Sequence, residues 1–358
     1  MTLSSVGDPR GRVRRLLASA RRLAEPEGDF GRQARAQLVA ATGLSPQGVD
    51  LALTHSLEHT VADADLERLC GYVRPAPRAH VLLSANAFVG ALRAIALALA
   101  SSPDVLVRPS RRETAMAALL LEGAPGLFQL VTELVPAPGE HLWAYGTART
   151  LESLRHELPS GVVLHPHGPG IGLVALDLQA HPEETSNWAE GLALDTVLLD
   201  QRGCLSPRIV ALRGTVEACQ RFAASLAAKL SRWEHDCPRG SLSALERGEE
   251  LRYRDTLLYA GDVLPAGKGG LGLQFDGTGT LVLPPATRWL HLLRADDPLR
   301  TLEPLAPHAT TLALGGLAAS ELERGPFRHT RLTLPGSMQR PRFDGPVDKR
   351  GASEGEVL

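Results

Sequence analysis

The sequence predicts an α/β protein built from two mostly parallel sheets. Three observations carry that expectation. From residue 79 onward, short apolar strands alternate with amphipathic helices, the pattern of a parallel sheet covered on both faces. A second stretch of the same kind begins near Pro182. The chain has 358 residues, enough for two domains of ordinary size.

Ahead of that alternation, residues 12–70 read as mostly helical. Arg12 to Leu23 and Asp50 to Cys70 carry apolar residues at three- and four-residue spacing. Gly43-Leu44-Ser45-Pro46 interrupts them, with Ser45 as an N-cap and Pro46 in the first helical turn. Pro75-Ala76-Pro77 closes this region. Ala79 to Ser84 then predicts a buried strand, Phe88 to Ser101 a helix, Asp104 to Val107 a strand and Arg111 to Glu122 a helix. Further strands are expected at Phe128 to Val135, Leu142 to Tyr145, Gly161 to Leu164 and Gly172 to Leu176, with a helix over Thr147 to Glu157. In the second stretch, Glu183 to Leu194 reads as a helix, Thr196 to Leu199 as strand-like and Arg208 to Leu212 as a strand. Thr215 to Trp233 and Leu242 to Leu258 follow as helices. Strands are expected at Leu271 to Phe275, Thr280 to Leu283 and Thr310 to Leu314, and Arg340 to Leu358 as a polar, Gly-rich tail.

Composition removes several function classes. The net charge is −2 and aromatics make up 4 %, so neither a global field nor a base-stacking surface favours nucleic acid. The longest apolar run, Ala94 to Ala100, is too short to span a bilayer. The N-terminal residues show no signal-peptide pattern, so a reducing cytoplasm is the expected compartment, where a thiol stays reactive. None of the 4 cysteines stands in a C-x-x-C pair, which argues against a zinc ribbon or thioredoxin-like motif.

The segment richest in chemistry is Asp200-Gln201-Arg202-Gly203-Cys204-Leu205-Ser206-Pro207-Arg208. A strand-like run leads into a turn at Gly203, Cys204 follows, and Pro207 prevents an immediate helix. That arrangement places a thiol at the end of a sheet. On local sequence alone, the commoner fate of an isolated cysteine, a small buried hydrophobe, is favoured. A nucleophile needs a pKa below the ordinary thiol value of about 8.5, with Arg202 and nearby backbone N–H groups as the source of that bias.

A resemblance shifts the balance. The segment is similar to the active-site segment of the long-chain acyl-CoA reductases, the fatty-acid reductase component of bacterial bioluminescence, in the aldehyde dehydrogenase superfamily. The family form Asp-Gln-x-x-Cys-x-Ser-Pro is matched by Asp200, Gln201, Cys204, Ser206 and Pro207. Leu82-Leu83-Ser84-Ala85-Asn86 resembles the strand that delivers an asparagine to the active site. Asp104-Val105-Leu106-Val107-Arg108-Pro109-Ser110 resembles a strand ending in Lys-Pro-Ser that meets the cofactor's adenosine ribose. Tyr145-Gly146-Thr147 resembles the turn under the pyrophosphate. Leu299-Arg300-Thr301-Leu302, Gly336-Ser337-Met338-Gln339 and Phe343-Asp344-Gly345 echo closing segments. The likeness runs from about residue 75 to about residue 345.

The resemblance implies an aldehyde dehydrogenase-type fold: two Rossmann-like α/β domains with an interdomain cleft. A nucleotide-binding domain is expected over 1–182 with its helical N-terminal part, a catalytic domain over 183–325, and a C-terminal return and tail over 326–358. It implies that Cys204 is the nucleophile and that the Asn86 amide and the Cys204 N–H form an oxyanion hole; Asn86 also fits a helix N-cap. Arg108, Ser110, Gly146, Thr147 and Gly168 are the expected cofactor-binding residues. Arginine suits a phosphate, so NADP is favoured over NAD. The expected partner is acyl-CoA or another activated acyl substrate, with no nucleic acid and with self-association left open. Reduction of an acyl phosphate or a carrier-bound acyl group, and a non-catalytic binding role, are the alternatives.

The chain departs from the pattern at Arg108, where lysine is expected, and at Leu205, where serine is frequent. Hydrolytic relatives carry a glutamate base in a segment that here reads His165-Pro166-His167-Gly168-Pro169-Gly170, without a carboxylate. Thioester exchange needs no activated water, so that absence suits a reductase. His167 is expected at the surface or in a hydrogen bond. His55-Ser56-Leu57-Glu58-His59 has the H-x-x-E-H form of an inverted zinc-peptidase motif; no third ligand follows, and a solvated helix face is the favoured reading. No metal is expected. Gly267-Lys268-Gly269-Gly270-Leu271-Gly272 reads as a turn rather than a phosphate loop.

Overall fold

The computed structural model describes residues 8–277, 281–317, 325–328, 330–343 and 355–358. The chain forms two compact units. The first runs to Pro169 and takes back Arg342, Phe343 and the closing residues from Gly355; the second is Gly170–Pro341. The division therefore falls at Pro169 rather than at residue 182, because the strand after it joins the second sheet. Of the expected return over 326–358, the part up to Pro341 stays in the second unit.

In the first unit four helices come first: α1 Pro9–Ala24, α2 Asp29–Thr42, α3 Pro46–His55 and α4 Asp63–Tyr72. α1 buries Val13, Leu16, Leu17, Ala20 and Leu23, one stripe at helical spacing. Gly43 ends α2 in the left-handed conformation (φ 69°), and the Ser45 hydroxyl accepts from the Gly48 N–H at 3.0 Å to open α3. The expected helix over Asp50 to Cys70 is two helices. The His59 N–H turns back to the Leu57 carbonyl at 2.8 Å, and Ala62 is extended ahead of α4, whose first turn holds Asp63 and Asp65.

The first sheet follows: β1 Ala79–Leu82, α5 Gly90–Ser101, β2 Val105–Arg108, α6 Ala115–Gly123, β3 Gln129–Leu130, β4 His141–Tyr145, α7 Ala148–Glu157 and β5 Val163–His167. Its strands are parallel in the order β5-β4-β1-β2-β3, with Glu356–Val357 antiparallel outside β5. The chain moves outward from β1 through β2 to β3 and then crosses to β4 on the other side of β1. This reversal is a topological switch point, where open α/β sheets leave a crevice at the carboxyl ends of the strands. α5 is buried on every face between sheet and α1, which explains its unbroken apolar run. The long strand expected over Phe128 to Val135 shrinks to β3, and β5 begins two residues later than expected.

The second unit contains β6 Ile171–Asp177, α8 Thr185–Val197, β7 Pro207–Arg213, α9 Val216–Asp236, α10 Ala244–Ala260, β8 Asp262–Ala266, β9 Gly269–Gln274, β10 Trp289–Arg294, α11 Pro298–Leu302, β11 Ala309–Gly315 and β12 Arg331–Thr333. The sheet order is β12-β11-β6-β7-β10-β9-β8, parallel except for β8. β8 and β9 form a hairpin whose turn requires Gly267 at φ 61°. Leu173, Ala175, Ile209, Ala211, Leu293 and Leu312 form the centre of its core. Thr280 lies outside the described residues, and residues 281–283 are not strand. Among the described residues no helix is long and apolar enough to cross a membrane.

Candidate active site

The loop carrying Cys204 begins where α8 ends. Residues expected to be strand-like, Thr196 and Val197, are its last turn. Leu199 (φ 57°), Asp200 (φ 52°) and Gln201 (φ 65°) then adopt left-handed conformations in succession. Each costs a non-glycine residue on the order of 1–3 kcal/mol and persists only where surrounding contacts dictate it. The contacts are present. The Asp200 carboxylate accepts from the Arg288 guanidinium at 2.6 and 3.0 Å and from the Gly240 N–H at 3.0 Å. The Gln201 amide donates to the carbonyls of Pro207 and Trp289, both at 2.7 Å, and accepts from the Trp289 N–H at 2.9 Å. Asp200, Gln201 and Arg288 are all buried. The Asp-Gln pair thus bolts the loop to the starts of β7 and β10.

Downstream, the Cys204 carbonyl accepts from the Thr310 hydroxyl at 2.6 Å, and the Ser206 carbonyl accepts from the Gly172 N–H at 2.9 Å. The Ser206 hydroxyl meets the Gln339 amide. Cys204 therefore lies ahead of β7, beside the first residues of β6 and β11. The expectation of a turn directly after a strand is corrected: helix, left-handed turn and loop precede the thiol, and the strand follows it. A side chain on β6 at Gly172 would meet the carbonyl oxygens of Leu205 and Ser206 at 2.7 and 2.5 Å, so only glycine lets the loop lie this close.

Among the four cysteines Cys204 alone is exposed. Cys70 is half-buried and its thiol is pushed up by burial. Cys219 and Cys237 are buried, and burial pushes the Cys219 thiol up to about 11 against the opposing pull of Arg294. Arg202 is committed elsewhere than expected: its guanidinium pairs with Glu246 at 2.9 Å and donates to the Ser241 carbonyl at 2.7 Å.

The remaining expected site residues belong to the first unit and gather at the carboxyl ends of its strands. Asn86 lies in the loop after β1 and accepts from Arg112 at 3.3 Å. It does not cap α5, whose helical backbone begins after Val89 without a side-chain cap. Arg108 is the last residue of β2. The Ser110 hydroxyl accepts from the Arg112 N–H at 3.3 Å in the turn that follows, so α6 starts at Ala115 rather than near Arg111. Gly146 follows β4, and its N–H donates to the His167 carbonyl at 3.1 Å. Thr147 caps α7, its hydroxyl accepting from the Thr150 N–H at 3.2 Å. Gly168 follows β5, where a Cβ would stand 3.2 Å from Leu151. Asn86, Gly146 and Thr147 thus flank the switch point between β1 and β4.

His165 and His167 are strand residues of β5, not loop residues. His165 stacks on Trp143 at 4.3 Å and meets His141 at 3.2 Å; His167 stacks on Tyr145 at 4.4 Å. The zinc-peptidase motif does not lie on one helix face, because α3 stops at His55. Nor is it a fully solvated face: the half-buried Glu58 carboxylate pairs with Arg93. Asp344 and Gly345 of the closing segment lie outside the described residues.

One unit thus carries a parallel sheet with a switch-point crevice, and the other a parallel sheet with a braced cysteine loop. Solved structures with the same fold match nearly the whole chain. An oxidoreductase from Marinobacter aquaeolei matches with TM-score 0.72 at 12 % identity, covering 97 % of this chain and 82 % of its own. A putative aldehyde dehydrogenase from Burkholderia cenocepacia gives 0.67 at 13 %, covering 98 % and 84 %. An NADP-dependent glyceraldehyde-3-phosphate dehydrogenase from Bacillus halodurans C-125, complexed with NADP, gives 0.64 at 14 %, covering 92 % and 78 %. No curated protein sequence matches this chain. The model of the acyl-CoA reductase (LuxC) family matches residues 129–336, more than half of the chain, and the chain belongs to that family.

Proposed function

We propose that this protein reduces an acyl thioester to an aldehyde, with Cys204 as the nucleophile and NADPH as the reductant. The observation that carries the reading is Cys204 itself. It is the exposed cysteine, and it stands on a loop held in an otherwise unfavourable conformation by buried polar contacts from β7, β10 and β11. Strain maintained at one place by several independent contacts is the mark of a functional loop. Family membership supports an acyl-CoA as the substrate class.

The first unit fits a nicotinamide dinucleotide. Its switch point lies between β1 and β4, and the β4–α7 turn offers backbone N–H groups at a helix start. Arg108 brings a guanidinium to the end of β2, suited to the extra phosphate of NADPH. Arg108, Ser110, Gly146, Thr147 and Gly168 would hold the dinucleotide, and the first unit would be the nucleotide-binding domain, the second the catalytic one. When bound, the nicotinamide supplies the hydride.

The chain's own residues carry the other steps. The Cys204 thiolate attacks the thioester carbonyl, forming the carbon–sulfur bond. The Cys204 N–H donates to the developing oxyanion, and the family resemblance implies the Asn86 amide as its second donor. The tetrahedral adduct collapses by breaking the bond to coenzyme A, which leaves as a thiolate and needs no general acid. The acyl group now sits on Cys204, and the segment from His165 to Gly168 presents no carboxylate to activate a water against it. After reduction, the adduct on Cys204 breaks its carbon–sulfur bond, releasing aldehyde and restoring the thiolate.

The test is a coupled assay of NADPH and NADH consumption over a panel of acyl-CoA lengths, an acyl phosphate and a carrier-bound acyl chain. Wild-type protein oxidises NADPH with acyl-CoA, and Cys204→Ala abolishes the reaction. Undiminished turnover in that variant overturns the assignment.

A further inference from the structure

The segment Gly336–Gln339 forms a strap between α8 and the Cys204 loop. Its anchor is Asp195, on the last full turn of α8 and completely buried. The Asp195 carboxylate accepts from the Gly336 N–H at 2.6 Å and from the Met338 N–H at 3.1 Å, one oxygen to each. The fit is close enough that a Cβ at Gly191, one turn earlier on α8, would meet the Pro335 carbonyl oxygen at 2.5 Å. Gly336 itself holds φ 90°, a conformation that suits glycine. At the strap's far end the Gln339 side chain donates to the Ser206 hydroxyl, and its Oε1 would stand 3.2 Å from a Cβ at Gly203. Gln339 thus spans the residues on both sides of Cys204. Met338 is completely buried, and its methyl group would stand 2.7 Å from a Cβ at Gly172 on β6.

Resting on the reading of Cys204 as nucleophile, we infer that Asp195 is a positioning residue: its carboxylate fixes the strap, and through Gln339 and Ser206 the strap fixes the thiol. A buried carboxylate with three backbone N–H donors, from Gly336, Met338 and Gln339, is costly to form and directional once formed. It is an anchor that asparagine does not copy, because an amide turns one of the two acceptor oxygens into an NH2 donor facing a strap N–H.

This anchor also has a pH dependence. Burial pushes the Asp195 carboxyl up to about 7, against the pull of the strap N–H groups and of Arg331. Arg331, on β12, is the cation whose field reaches it, and it also holds the Met338 carbonyl. On α9, Lys229 and Arg232 are turned to Glu190; on β7, Arg213 is paired with Asp177. Above neutral pH both carboxylate oxygens accept from the strap. Below it, one becomes a hydroxyl, a weaker acceptor, and the strap N–H groups lose their charge-assisted hold.

The experiment measures alkylation of Cys204 by iodoacetamide between pH 6 and 9, followed by mass on the peptide carrying that residue. In wild type the rate falls below pH 7 more steeply than thiol ionisation alone predicts. Asp195→Asn removes that extra fall and changes the alkylation rate at pH 8, because the strap no longer holds the thiol in its wild-type surroundings. A profile superimposable on wild type overturns the inference. Should Asp195→Asn not fold, Gln339→Met cuts the link to Ser206 while keeping the anchor; loss of the extra fall supports the inference and its persistence overturns it. Alkylation needs no acyl substrate, so these outcomes stand apart from the Cys204→Ala assay, on which the reading of function depends.

Discussion

Gln201 shows how one side chain converts sequence into site geometry. Its amide satisfies two carbonyls and one N–H belonging to the starts of β7 and β10, all buried. Replacing it with leucine keeps the bulk and strands all three backbone groups. Each buried unsatisfied group costs about 1–3 kcal/mol, so Gln201→Leu is expected to lose about 3 kcal/mol in urea denaturation. Acyl-CoA turnover should fall with it, at a temperature where the variant is still folded. An unchanged midpoint would show that the left-handed turn holds itself. The identity of this residue was legible in the sequence through its motif, but its work was not. Its partner Trp289 lies 88 residues away in the chain, and no local pattern announces three consecutive left-handed residues. The same limit applies to Arg202, two residues before Cys204 in sequence yet turned to Glu246 on α10. Asp195 was invisible for a further reason. A lone acid near the end of a helix reads as surface until the strap that covers it is known.

At the level of elements, strand and helix periodicity found the inner framework. β1, β2, β4, β6, β7 and β11 lie where alternation predicts them, because each pairs on both sides and must be apolar. β8, β10 and β12 were missed. β10 is a continuous run, Trp289-Leu290-His291-Leu292-Leu293-Arg294, in which buried strand and buried helix are indistinguishable by period. β8 and β12 are edge strands, short and partly exposed. The cap at Ser45 was read from the sequence, the one at Asn86 did not form, and three more caps went unread. Ser45, Thr147, Thr215 and Ser243 each accept from a backbone N–H of the helix they open, and Ser243 completes a capping box with Glu246. Among them Thr147 joins fold to function, because α7 begins beside the switch point. Thr147→Ala is expected to cost about 1 kcal/mol of stability and Thr147→Ser much less. Chemical denaturation of both variants measures the difference. Equal losses would mean the methyl group, not the hydroxyl, is what matters there.

For the molecule as a whole, the two-sheet plan followed from the alternation and the family likeness, whereas the chain's path at its end did not. The tail reads as polar and loose, yet its described residues are tied to the first unit at two separate places. Glu356 and Val357 pair with β5, and Glu356 accepts from Arg155 at 2.9 Å through each oxygen. Arg342 and Phe343 are held by Arg93, a buried residue of α5 that donates to both of their carbonyls, lies 5.6 Å from the Phe343 ring and pairs with Glu58. The first unit is thus closed by residues from both ends of the sequence, with the whole second unit inserted between them. Arg93 is the clearest point at which to break that closure. Arg93→Met keeps the stem packed on α5 but takes the cation from the half-buried Glu58 carboxylate and removes the guanidinium donors from two carbonyls. Removing one partner of a buried pair costs about 3–5 kcal/mol, and amide exchange in 342–343 should rise together with exchange around Glu58. Since Arg93 lies outside the Cys204 loop, Cys204 alkylation at a temperature where the variant is folded should keep its wild-type rate. If exchange rises at Glu58 but not in 342–343, the return is held by something other than this arginine, and the closure of the first unit has to be sought in the pairing with β5 instead.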